Sequence, residues 1–292
     1  MLTSTEDRNP ISYDLDLKST REILEIINTE DQKIADRVKD AMDQIEALVD
    51  EVINTFANDG RLFYLGAGTS GRLGVLDASE TVPTFSVDPN MVTGLIAGGD
   101  DALRNPIENA EDSKEAAKCD LEKANLTSKD FVIGIAASGR TPYSIGAIEY
   151  AREIGAKTGS IACNKNAKIS EYSDYPIEVE TGAEVLSGST RMKAGTATKM
   201  VLNMITTTAM IKIGKVYDNL MVDLKPTNEK LVDRATKIIC EISGYDYESS
   251  KKILSKADNN VKAAIIMATK NVDYEESIKI LENNKGFIRE DL

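Results

Sequence analysis

The stretch that most limits how this chain can fold is Arg61–Glu80, RLFYLGAGTSGRLGVLDASE. Leu62-Phe63-Tyr64-Leu65 is an apolar run of strand length and strand composition. Gly66-Ala67-Gly68-Thr69-Ser70-Gly71 then makes a glycine turn, and a helical pattern carrying Leu73, Leu76 and Glu80 follows. Strand, glycine turn and helix together build an anion site, because glycine lets backbone come close to a ligand and the helix N-terminus aims free N–H groups at it. Gly66, Gly68 and Gly71 also satisfy the dinucleotide pattern G-x-G-x-x-G, with Asp88 about 20 residues on, just past the candidate strand Thr84–Val87. Thr69 and Ser70 favour a sugar phosphate, since two hydroxyls can donate directly to phosphate oxygens. On this loop alone the two ligands stay evenly matched.

The same unit returns downstream. Phe131–Ile135 is the clearest buried strand; it runs into Ala136-Ala137-Ser138-Gly139-Arg140-Thr141 and then a helix opened by Pro142. Met91–Ala97, Lys157–Cys163 and Tyr175–Val179 read as further strands, and 101–124 as a helix with Glu108, Glu111 and Asp112 embedded in it. Strands alternating with helices predict an α/β fold, a doubly wound parallel sheet with its site at the strand C-termini. Residues 1–16 are polar and expected to be loose or draped over a neighbour. Helical patterns cover 19–27 and 31–57, the longer one packing on the sheet or burying a dimer interface. Past Leu224-Lys225-Pro226 come charged helical pieces near 228–243, 247–256, 259–270 and 273–283, with Asp246, Asp258 and Asp273 at the N-cap positions. The expected organisation is 1–58 as N-terminal helices, 59–224 as the α/β domain and 225–292 as a small all-helical domain.

The most restrictive count is zero: the 292 residues include no histidine. Proton transfer near neutral pH then falls to carboxylates, Lys, Tyr or Cys, tuned by their surroundings, and serine triads and histidine-based metal sites are excluded. A net charge of −13 with no basic stripe argues against nucleic acid as a partner. Three scattered cysteines fit a reducing compartment. No signal-like or bilayer-length apolar run appears, so no membrane partner is expected and the cytoplasm is the expected location.

Serine and threonine in either loop alone could merely cap a helix. Two such loops, with a third hydroxyl-rich turn at Ser187-Gly188-Ser189-Thr190, favour a phosphate cradle and demote the dinucleotide reading, which needs only the first loop. Glu80 lies roughly 15 Å along an ideal helix from the first loop. A helical glutamate is ordinarily a solvated surface residue, but Leu76, Ala78, Val82, Pro83 and Phe85 could desolvate this one and raise its pKa. Arg191 and Lys193 are candidates for fixed positive charge near an anionic substrate, with ordinary surface cations as the alternative.

The motifs LGAGTSGRLGVLDASE (65–80), GLIAGG (94–99), NAEDS (109–113), GIAASGRTPY (134–143), GAEVLSGSTRMKAGTATK (182–199), NLMVDL (219–224) and TNEKL (227–231) run through essentially the whole chain. Together they resemble the N-acetylmuramic acid 6-phosphate etherase family, within the sugar isomerase (SIS) domain group. One departure is Asn109, where glycine is expected. The resemblance implies cofactor-free cleavage of the D-lactyl ether at C3 of the phosphosugar by a carbon–oxygen lyase, through elimination and then hydration. It implies Glu80 as proton donor to the leaving lactate and Glu111 as the second acid–base group, with their steps interchangeable. It also implies phosphate binding by Ser70, Ser138 and Thr141, with Thr69 and Ser189 beside them, and a homodimer; Arg140, Arg191 and Lys193 are the further substrate-binding candidates. A non-catalytic phosphosugar sensor, an aldose–ketose isomerase and an NAD(P) dehydrogenase are the competing readings.

Overall fold

The computed structural model describes residues 4–289. Its helices are α1 (Thr20–Asp31), α2 (Ile34–Asp40), α3 (Met42–Ala57), α4 (Gly68–Phe85), α5 (Lys114–Lys123), α6 (Pro142–Ile154), α7 (Lys193–Lys212), α8 (Glu229–Ser243), α9 (Tyr247–Lys256), α10 (Val261–Lys270) and α11 (Tyr274–Asn283). Five strands, β1 (Leu62–Gly66), β2 (Val92–Ile96), β3 (Phe131–Ile135), β4 (Lys157–Ala162) and β5 (Tyr175–Glu178), form one sheet in the order β2-β1-β3-β4-β5. Every pairing is parallel. All five residues of β1 and of β3 are buried, as strands covered on both faces must be. Phe63, Leu65 and Val132 pack with Ala117 and Leu121 of α5 and with Tyr143, Ala147 and Ala151 of α6. On the other face α3 packs on β5 and β1, and a Cβ on Gly159 would meet Leu48 Cδ1 at 2.6 Å, so this glycine lets α3 settle on β4.

By contacts the chain divides into two compact units. One comprises the residues up to Ser79 together with Pro89–Thr207; the other comprises Glu80–Asp88 and the residues from Thr208 onward. The N-terminal helices thus cluster with the sheet, and the last turns of α4 and α7 cluster with the helical unit. That unit contains α8–α11 and a two-stranded hairpin of β6 (Val216–Tyr217) and β7 (Leu220–Met221). Ile239, Leu254, Ile265 and Ile266 centre its core, with Met267 and Ile280 packed against it. Asp246 and Asp273 cap α9 and α11 by accepting from Ser249 N and Glu276 N. Asp258 does not cap α10; Asn260 does, and Asp258 takes a left-handed conformation in the preceding turn.

Three local expectations are corrected. The 31–57 helix is broken at Ala41, whose N–H bonds Val38 O with i−3 spacing, giving α2 and α3. Thr84–Val87 is no strand: α4 runs on through Pro83 to Phe85, and Ser86 turns the chain at φ 52°. The 101–124 segment is helical only from Lys114; before it come the short 3-10 turns Asp100–Leu103 and Ala110–Asp112. Pro106 and the left-handed Asn109 interrupt any longer helix. The N-terminal segment is draped over its own unit. Asn164 holds it, accepting from Ser4 Oγ and Thr5 N and donating to Thr5 Oγ1 and Ala137 O.

Candidate active site

The strand order places a topological switch point between β1 and β3, where α4 leads outward to β2 and α6 leads outward to β4. A crevice opens there at the strand C-termini. The structure places a 490 Å³ cavity at this position, lined by Gly68, Thr69 and Ser70 from the first loop and by Ser138, Arg140 and Thr141 from the second. Two helix N-termini therefore face one cavity, each supplying unpaired N–H groups and a partial positive charge. A Cβ on Gly71 would meet Gly66 O at 2.5 Å, so only glycine lets α4 start this close to β1. Thr141 occupies the N-cap position of α6 yet makes no side-chain cap bond.

Glu111 lines the same cavity, carried by the Ala110–Asp112 turn. Asn109 sets that turn at φ 61°, a conformation natural to glycine and better tolerated by asparagine than by other side chains. This gives the departure at 109 its physical meaning: the backbone bend survives the change. The third hydroxyl turn contributes Thr190 rather than Ser189. Ser189 is not among the described residues lining the cavity; its N–H bonds Leu186 O and its carbonyl accepts from Met192 N within the turn. Glu6, Asp112 and Pro142 also line the cavity and carried no signal of that role in the sequence.

Arg191 is exposed and is not among the described residues lining the cavity. Lys193 is not among them either. Its ammonium pairs with Glu30 at 2.6 Å, the two side chains being 4% and 5% exposed. Burial works against the Glu30 charge, but hydrogen bonds from Lys193, Lys33 and Asn9 outweigh it and hold the carboxyl at about 2. Glu184 closes the same corner, accepting from Lys193 N and Ala194 N at the first turn of α7. Lys193 is thus a buried cation of the scaffold. Its real partner lies 163 residues away in sequence.

Glu80 belongs to the other compact unit and is exposed on α4. Its expected apolar shell does not enclose it: Leu76 and Pro83, on its face of the helix, are exposed too. One turn earlier, Asp77 is buried and accepts from Asn203 Nδ2 and Thr206 Oγ1. Burial raises its carboxyl pKa, the two hydrogen bonds opposing. Asp88 lies before β2, at the end of the sheet opposite the cavity, whereas a dinucleotide's ribose needs its acid at the C-terminal end of that strand. Among the described residues no group of three His, Cys, Asp or Glu side chains could hold a metal ion.

Comparison with known proteins places the sequence in a family. Residues 44–152 match the family model described as glucokinase regulatory protein N-terminal SIS domain, and residues 108–208 match that of the SIS domain. An N-acetylmuramic acid 6-phosphate etherase of Exiguobacterium is 56% identical over 289 residues, covering 99% of this chain and 98% of the relative. The chain belongs to the N-acetylmuramic acid 6-phosphate etherase family. A second etherase, of Bacillus mycoides, is 54% identical over the same share of both chains. The phosphoheptose isomerase of Neisseria gonorrhoeae superposes with a TM-score of 0.50 over 65% of this chain and 98% of that one; at 14% identity the likeness is one of fold. No helix among the described residues is long and apolar enough to cross a membrane.

Proposed function

We propose that this protein cleaves the D-lactyl ether of N-acetylmuramic acid 6-phosphate, giving N-acetylglucosamine 6-phosphate and D-lactate. The full-length identity to etherases carries the reading. The cavity agrees with it in kind: hydroxyls and helix N-termini for a phosphate, with a carboxylate, Glu111, on the same wall.

The chemistry follows from the substrate. In the open-chain sugar the C1 aldehyde acidifies the C2 proton. A carboxylate removes that proton, the C3–O bond breaks, and the departing lactate oxygen takes a proton from a carboxylic acid. Water then adds at C3 of the unsaturated aldehyde, and a proton returns to C2. Two carboxyl groups in different protonation states suffice. By resemblance to the etherases Glu80 gives the proton to lactate and Glu111 is the second acid–base group, taking the C2 proton, with the two steps interchangeable. Ser70, Ser138 and Thr141 hold the phosphate, with Thr69, Thr190 and Arg140 beside them. Glu80→Gln and Glu111→Gln should each lower lactate release by about 100-fold or more, while inorganic phosphate and N-acetylglucosamine 6-phosphate still bind. Full activity in either variant would remove that residue from the mechanism.

A homodimer is part of the same reading. Leu17 and Leu24 are 81% and 59% exposed, and Ile11 and Tyr13 are exposed on the same N-terminal stretch, which suits burial against a second copy. A monomer at all concentrations in sedimentation equilibrium would contradict it. Three free cysteines fit the reducing cytoplasm in which a phosphosugar would be met.

A further inference from the structure

A second cavity, of 250 Å³, adjoins the first. Ala67, Gly68 and Glu111 line both, so the two meet at Glu111. The smaller one differs in character. Ala97, Ala102 and Ile107 give it an apolar wall, and Arg72 is its one lining cation. Arg72 rises from the first turns of α4, half-buried, and donates through Nε to Leu103 O at 3.0 Å and through Nη2 to Ala102 O at 2.7 Å. Both partners are neutral carbonyls. Among the described residues no carboxylate pairs with it, and Nη1 makes no hydrogen bond.

A guanidinium braced by two carbonyls and left without an anion is pre-oriented for one. The apolar wall beside it suits a small aliphatic group. Glu108 and Glu111 stand exposed at the rim, where water screens their charge. A carboxylate with a methyl branch matches this combination, and the lactyl ether arm has both on the carbon next to the ether oxygen. With the phosphate in the larger cavity and this arm in the smaller, the sugar carbons that react lie at the junction, beside Glu111.

We propose that the smaller cavity is the recognition site for the anionic ether substituent, with Arg72 as receptor for its carboxylate and Ala97, Ala102 and Ile107 as the wall for its methyl group. The identity of the ligand rests on the etherase reading above, but the test does not need turnover. The borohydride-reduced alditols of N-acetylmuramic acid 6-phosphate and N-acetylglucosamine 6-phosphate lack the aldehyde and cannot eliminate. They differ only in the lactyl arm. Calorimetric titration of the full chain should show the lactyl-bearing alditol binding about 10-fold more tightly or better, the scale of one charge-assisted hydrogen bond. Arg72→Met should bring the two affinities together while leaving that of the plain alditol within about twofold. Ile107→Asp, at a position 43% exposed and so tolerant of a polar group, should do the same by opposing the carboxylate.

A wild-type protein with no preference for the lactyl arm would overturn the proposal. So would equal weakening of both alditols in Arg72→Met together with a preference kept in Ile107→Asp, which would leave Arg72 as a brace for the 100–103 turn. Failure of the etherase reading appears separately, as absence of lactate release from the unmodified sugar phosphate.

Discussion

Asn109 shows how the backbone conformation of one residue can position the side chain of another. Its left-handed backbone turns the chain into Ala110–Asp112 and brings Glu111 to the cavity. Asn109→Gly should keep or slightly raise both melting temperature and lactate release, because glycine adopts this conformation freely. Asn109→Val should cost about 1–2 kcal/mol, seen in denaturant unfolding, and lower turnover by misplacing Glu111. Lys193 makes the opposite point. Lys193→Met leaves buried Glu30 with only Asn9 and the exposed Lys33 as partners and should destabilise the protein by about 2–3 kcal/mol, most of it recovered in the double variant with Glu30→Met. The pH dependence has a definite sign. The Glu30 carboxyl lies at about 2 in the folded protein against an ordinary 4.5. Its contribution is therefore complete above 4.5 and is lost as pH falls through about 2, an acid loss that the double variant should lack.

At the scale of elements, the sheet was legible wherever apolar runs were bounded by glycine or polar turns, as at Leu62–Leu65 and Phe131–Ile135. Thr84–Val87 misled because a β-branched and aromatic run can equally end a helix when Pro83 sits near its C-terminal turn and Ser86 reverses the chain. The capping aspartates divide on local geometry that composition does not carry: Asp246 and Asp273 bond the N3 amide, whereas Asp258 falls two residues too early for α10. Asp246→Ala should cost about 1 kcal/mol of the helical unit's stability, whereas Asp258→Gly, which keeps the left-handed turn and removes no cap, should cost none, a difference that chemical denaturation can resolve. The two anion loops were legible as a repeated strand–loop–helix unit. The places of Ser189, Arg191 and Lys193 were not, because a hydroxyl or a cation in a motif says nothing of the partner that tertiary structure gives it.

On the whole-molecule scale, a chain with net charge −13 must attract its phosphorylated substrate locally, through aligned helix N-termini, hydroxyls and the Arg72 guanidinium. The absence of histidine from the sequence concentrates acid–base work on carboxylates. The elimination and rehydration proposed from the etherase relatives fit both facts, and the direction of bond cleavage tests that account most directly. The measurement is incubation of the protein with N-acetylmuramic acid 6-phosphate in H₂¹⁸O, without added cofactor, followed by mass analysis of both products. The account expects D-lactate without label and N-acetylglucosamine 6-phosphate carrying ¹⁸O in its C3 hydroxyl. Label in lactate instead would mean cleavage on the other side of the ether oxygen and would contradict it.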